Sequence, residues 1–221
     1  MFTATQLQAL IAAHRDEFFK DLASIIAIPS VKGPAAPHAP FGLAPRQVLD
    51  AVVALGQAYG FKAQVVSDAM AYVQWGDNDQ NYLGVVGHLD VVAAGDGWTS
   101  DPITLTKRGD RWYARGVLDN KGPAISCLFG LKLLKDAGLQ PQRTIRLIFG
   151  SDEESGSADV PMYLAQEAPP TFAGRLIASI RWCMANAASS IIAWKHRCRQ
   201  IRWHNSAIFK AHKAKRLSQM S

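Results

Sequence analysis

The 221-residue sequence has only three cysteines, Cys127, Cys183 and Cys198, and no Cys-x-x-Cys pair. That argues against a disulfide framework and against a cysteine-based zinc knuckle, leaving reduced thiols. No apolar run approaches the roughly 20 residues of a membrane span. The first residues, MFTATQLQAL, lack the basic start and long apolar stretch of a secretory leader. A cytoplasmic protein is therefore expected. One sign of charge is missing from the end of the chain: residues 171–221 hold ten Lys and Arg but no Asp or Glu, against 14 and 18 in residues 1–170. The formal net charge of +6 thus belongs to the tail. Such a segment is either a nucleic-acid-binding arm or text of a different origin from the rest. It also lacks proline and any clean period of 2 or 3.6 residues.

What is present is a chain with 48% hydrophobic residues, long enough for one good-sized core or a core plus part of a second domain. Leu7, Leu10, Ile11, Phe18, Leu22, Ile25 and Ile26 recur at helical spacing from Thr3 to about Ile26. Thr3 and Gln6 are placed as a capping box, which predicts a helix broken at most once. Residues 30–45 are rich in Pro, Gly and Ala and read as a surface loop, and 45–60 as a helix stopped by Gly60. FKAQVVS, AYVQWG and YLGVVGHL read as strands, and ITLTKRGDRWYARG as a hairpin turning at Gly109-Asp110. A helix over Pro123–Ala137 and a buried strand RTIRLIFG follow. Helices interleaved with buried strands predict an α/β fold, a mostly parallel sheet sandwiched by helices, with ligands gathering at the strands' carboxyl ends.

Three segments put metal-ligand chemistry at such ends. In VVGHLDVV, His88 and Asp90 are i and i+2 on extended backbone, so both side chains leave the same side. His88 can offer a ring nitrogen to a metal while Asp90 fixes the ring. In ARGVLDNKG, Asp119 sits in a glycine-bounded loop before a helix. In GSDEESGS, Glu154 can ligate while Glu153, pointing to the other side, stays free as a general base. Singly, each is ordinary: His-x-Asp is more often a satisfied pair, Asp-Asn a turn, and Asp-Glu-Glu a solvated face. Together and in this order they are hard to dismiss.

The runs GHLDVVAAGDGWTSDPITL, ARGVLDNKGP and GSDEESGS resemble the cocatalytic zinc peptidase family that includes carnosinase, acetylornithine deacetylase and succinyl-diaminopimelate desuccinylase. Within it, the sequence is most similar to the bacterial Xaa-His (beta-alanyl) dipeptidase branch, over roughly residues 7–170. The resemblance implies a hydrolase of dipeptides with a free N-terminus, using two zinc ions to polarise the scissile carbonyl and activate water. By the same resemblance His88 ligates one zinc, Asp119 bridges both, Glu154 ligates the second, Glu153 is the general acid/base and Asp90 supports His88. Asn120 stands where the family often has Asp, and Ala93 where many relatives have Pro.

On this reading residues 1–170 are the N-terminal part of a zinc peptidase catalytic domain, incomplete at its C-terminal side. The family's Thr-Pro-Asp motif, lid domain and late His have no counterpart. Residues 171–221 are expected to be an out-of-frame, poorly structured tail. WCMANAASS, from Trp182 to Ser190, is compatible with codons whose neighbouring frame spells VVYGERGIV, and IIAWK with NYRVE. The basic charge is then no sign of a nucleic-acid partner. The expected partner is a dipeptide, with no nucleic acid and no membrane. With two protein ligands left to each zinc, weak metal binding and little dipeptidase activity are expected. Two alternatives stand beside this: a deacylase of N-acyl amino acids from the same family, and a non-enzymatic nucleic-acid or interaction module working through the tail.

Overall fold

The computed structural model describes residues 2–176. In chain order the elements are α1 (Ala4–Ala13), α2 (Arg15–Ile26), α3 (Leu43–Ala58), β1 (Lys62–Val66), β2 (Met70–Trp75), β3 (Tyr82–His88), β4 (Thr106–Arg108), β5 (Arg111–Tyr113), α4 (Lys121–Asp136), β6 (Thr144–Gly150), α5 (Asp159–Leu164) and β7 (Phe172–Arg175). The N-terminal capping box forms as the spacing predicts: the Gln6 amide donates to Thr3 Oγ1 at 3.2 Å, and the Thr3 amide to Gln6 Oε1 at 2.8 Å. The helical run breaks once, at His14. α3 starts two residues before Pro45, because a proline in the first turn gives up an amide that has no intrahelical partner anyway.

Five strands form one sheet in the order β1-β2-β6-β3-β7, and β4-β5 is a separate hairpin. The sheet is mixed, which corrects the expectation of a mostly parallel one: β1/β2 and β2/β6 are antiparallel, while β3/β6 and β3/β7 are parallel. The reason lies in the connections. Only three residues join β1 to β2, with Ser67 and Asp68 both at positive φ, and a link that short allows only a hairpin. Six helix-free residues join β2 to β3, too few for a parallel crossover, so β3 runs against β2 with β6 inserted between them.

Side chains alternate across the central strands. On one face Ala71, Val73, Leu147 and Phe149 pack against Leu22 and Ile25 of α2, Val48, Leu49 and Val52 of α3, and Ile125, Leu128 and Phe129 of α4. On the other, Met70, Tyr72, Tyr82 and Ile148 pack with Tyr163 of α5. Arg146 also faces this second side. It is fully buried, its guanidinium 3.9 Å from the Tyr72 ring centre and 4.3 Å from that of Tyr82, and it donates to Gln74, Tyr163, Glu167 and Asp79. Such a charge is tolerable inside only because every face of it is occupied. Phe19 of α2 stacks on Trp112 of β5 at 4.0 Å, fixing the hairpin to the helical layer.

β7 lies at the start of the segment assigned to the basic tail and extends the sheet beside β3. The rest of that tail lies outside the described residues. Among the described residues no helix is long and apolar enough to cross a membrane.

Candidate metal centre

The parallel pairing of β3 with β6 puts His88 directly opposite Gly150, so both strands end at one place. From Gly150 the chain turns through a short 3-10 segment, Glu153–Ser155, that carries the two glutamates back toward His88. The third contribution comes from the loop before α4. Asn120 accepts from the His88 amide through Oδ1 at 3.4 Å, which sets Asp119 beside the imidazole. Gly87 makes room for this approach, since a Cβ there would stand 2.8 Å from Asn120 Oδ1. Three segments distant in sequence thus converge at the carboxyl end of adjacent strands, where open α/β sheets bind ligands.

All five residues picked out in the sequence meet here. His88 is buried. Its Nε2 lies 3.1 Å from Asp119 Oδ1 and 3.8 Å from Glu153 Oε2, and its Nδ1 lies 3.1 Å from the Asp90 carbonyl and 3.3 Å from Asp90 Oδ1. One ligand atom each from His88, Glu153 and Glu154 lie within 4.8 Å of one another. Asp119 touches the ring but stands outside that triad. Asp90 is buried behind the imidazole, and its Oδ2 accepts from the Glu154 amide at 3.0 Å, tying the ring's support to the acidic turn. Glu153 and Glu154 do not point to opposite sides as extended backbone would have them. In a 3-10 turn successive residues stand about 120° apart rather than the 180° of a strand, and one oxygen of each glutamate comes within 4.8 Å of a His88 ring nitrogen. The outer oxygen of Glu153 is held by Arg175 of β7.

The electrostatics are those of a cation site. Burial acts to lower the His88 pKa, but Asp90, Glu153 and Asp119 outweigh it and lift it to about 9. Burial raises Glu154, the neighbouring acids add to the rise, and His88 opposes it. The surrounding carboxylates thus stabilise a positive charge at the imidazole. One imidazole nitrogen with several carboxylate oxygens suits zinc, and Asp90 on Nδ1 leaves Nε2 directed at the acids, as for a metal-bound histidine. Asp90 Oδ1 is buried, and among the described residues its contact with His88 Nδ1 at 3.3 Å is an ion contact rather than a well-aligned hydrogen bond.

Three residues that shape the site escaped sequence reasoning. Ser30 bridges the strand-end loop, donating from Oγ to the Leu89 carbonyl and accepting the Val91 amide on its own carbonyl. Lys32 pairs with the buried Asp152 at 2.6 Å. Asp159 accepts the Ser151 and Asp152 amides. Each acts across the fold or on backbone, and no spacing rule marks such partners.

The chain is 36% identical over 159 residues to the putative dipeptidase YtjP of Bacillus subtilis, covering 71% of this chain and 34% of that protein. It is 34% identical over 164 residues to the Beta-Ala-Xaa dipeptidase of Lactobacillus delbrueckii subsp. lactis, covering 73% and 35%. The chain spans about a third of the length of these relatives. Human carnosine dipeptidase 1 superimposes with a TM-score of 0.60 at 25% identity, over 68% of this chain and 35% of that one. The pattern of peptidase family M20/M25/M40 matches residues 84–213, running past Phe172 into the basic segment. A match over more than half of the chain, starting in β3 and taking in His88, Asp119 and both glutamates, establishes that this chain belongs to peptidase family M20/M25/M40.

Proposed function

We propose that residues 1–170 supply the N-terminal part of the catalytic domain of a zinc-dependent dipeptidase acting on dipeptides with a free N-terminus. The observation that carries this is the closure of His88, Glu153 and Glu154 around one point, with Asp119 against the imidazole and Asp90 behind it. In this proposal His88 and Asp119 hold one ion, and Asp119 and Glu154 hold a second. When bound, zinc polarises a scissile carbonyl and lowers the pKa of water toward about 7. Glu153 takes the proton of the attacking water on the oxygen facing His88 and returns it to the leaving amine. Asp90 keeps the His88 ring oriented throughout. In the same proposal the acid-free segment that follows β7 is out-of-frame text, a reading opposed by the reach of the family pattern to residue 213. A gene with one uninterrupted frame, and no family-like text in its neighbour, overturns that part.

The test is a zinc titration of the purified chain by calorimetry, with H88A beside it, followed by hydrolysis of dipeptides and of N-acyl amino acids. Saturable binding lost in H88A supports the site, and a parent without binding, or an H88A variant that binds equally, overturns it. Cleavage of N-acyl amino acids but not dipeptides overturns the substrate assignment alone.

A further inference from the structure

Of the acids near the centre, Asp159 has no place in the proposed chemistry, yet it is among the most enclosed groups in the protein, 2% exposed. Its Oδ2 accepts from the Ser151 amide at 2.7 Å and the Asp152 amide at 3.2 Å. These amides lie at the corner where β6 stops and the acidic turn begins. Neither pairs with another backbone group there, and a buried amide left unpaired is costly. Asp159 itself is held firmly. α5, which it opens, is fixed further along by Tyr163, whose hydroxyl accepts from Arg146 at 2.9 Å, and by the Met162 carbonyl, which accepts from Ser67 at 2.8 Å. The fit at the corner is tight, since a Cβ on Gly150 would stand 2.7 Å from Asp159 Oδ2.

We infer that Asp159 is a positioning residue for the metal centre: its carboxylate clamps the Ser151 and Asp152 amides and so sets the direction in which Glu153 and Glu154 leave β6. The acidic turn is then registered from two sides, by Asp159 on the backbone before the glutamates and by Asp90 on the Glu154 amide. Burial lifts the Asp159 pKa to about 6, the charges of Asp90 and Asp152 adding to the rise and the two amides opposing it. The inference rests on the metal reading above and is tested so that the two fail separately.

The full chain and its D159A, D159N and G150A variants are titrated with cobalt(II), following the visible absorption. Exchange of the Ser151 and Asp152 amides is measured without metal. D159A and G150A are expected to lose about tenfold or more in cobalt affinity, in line with groups that orient ligands, and to exchange both amides faster. D159N keeps an oxygen that can accept both amides and is expected to restore most of the affinity and the parent spectrum. G150A displaces the carboxylate without removing a charge, and it decides the matter if D159A does not fold. Parent-like affinity and spectrum in D159A and G150A, or D159N as weak as D159A, overturns the inference. A parent that binds no cobalt overturns the metal reading, and this inference with it.

Discussion

At the residue scale, His88 sets the pH behaviour of the centre. Its folded pKa, about 9, lies above its unfolded value near 6.5. In the metal-free chain its contribution to stability is therefore fully present below about pH 6.5 and is lost as pH rises through about 9. Metal binding runs the opposite way, because the ion must displace the proton on Nε2. The expected outcome is an apparent zinc affinity rising about tenfold per pH unit between about 6.5 and 9, checked by titration across buffers; a flat profile would sink it. His88, Asp90, Asp119, Glu153 and Glu154 were legible in the sequence because short motifs put unusual chemistry at strand and loop ends. Asp159 and Lys32 were not, because nothing local distinguishes a carboxylate or ammonium that finds its partner only in the fold.

At the scale of elements, one buried group joins the end of α2 to the start of α4, beside the Phe18–Phe129 contact and the Lys132–Glu17 pair. Lys121 is 1% exposed and its Nζ donates to the Ile25 carbonyl at 3.1 Å and to the Ile28 carbonyl, closing the end of α2 from the first turn of α4. Desolvation lowers its pKa to about 8, with Asp90 opposing. Lys121→Met keeps most of the stem and removes two charge-assisted bonds, leaving the Ile25 carbonyl to the Ile28 amide and the Ile28 carbonyl to the Ser30 amide. A loss of about 1–3 kcal/mol in urea unfolding is expected, and an unchanged midpoint would show that the contact is idle. Most helices and strands read correctly because periodicity and glycine stops are local signals. α5 and β7, six and four residues long, were missed: segments that short carry too few residues to show a period.

For the whole molecule, the two faces of the sheet are stabilised differently. The helical layer is apolar, whereas the opposite face is organised around Arg146, which reaches β2 through Gln74, the following turn through Asp79, α5 through Tyr163 and the residues beyond it through Glu167. Arg146→Met should destabilise by the lower part of about 3–5 kcal/mol, because Asp79 and Glu167 retain some solvent. Thermal and urea unfolding would measure it, and loss of the α5 contacts should appear first as faster exchange at Tyr163. The α/β class and the longer helices and strands follow from the sequence alone, since they depend on local period, and the motifs in it single out the candidate residues of the centre. Strand direction and the meeting of the three motifs were decided only in three dimensions. Composition sets which strands are buried, but the lengths of the connections and the pairing of β3 with β6 determine which neighbours they take. That pairing alone brings residue 88 within reach of residues 153 and 154.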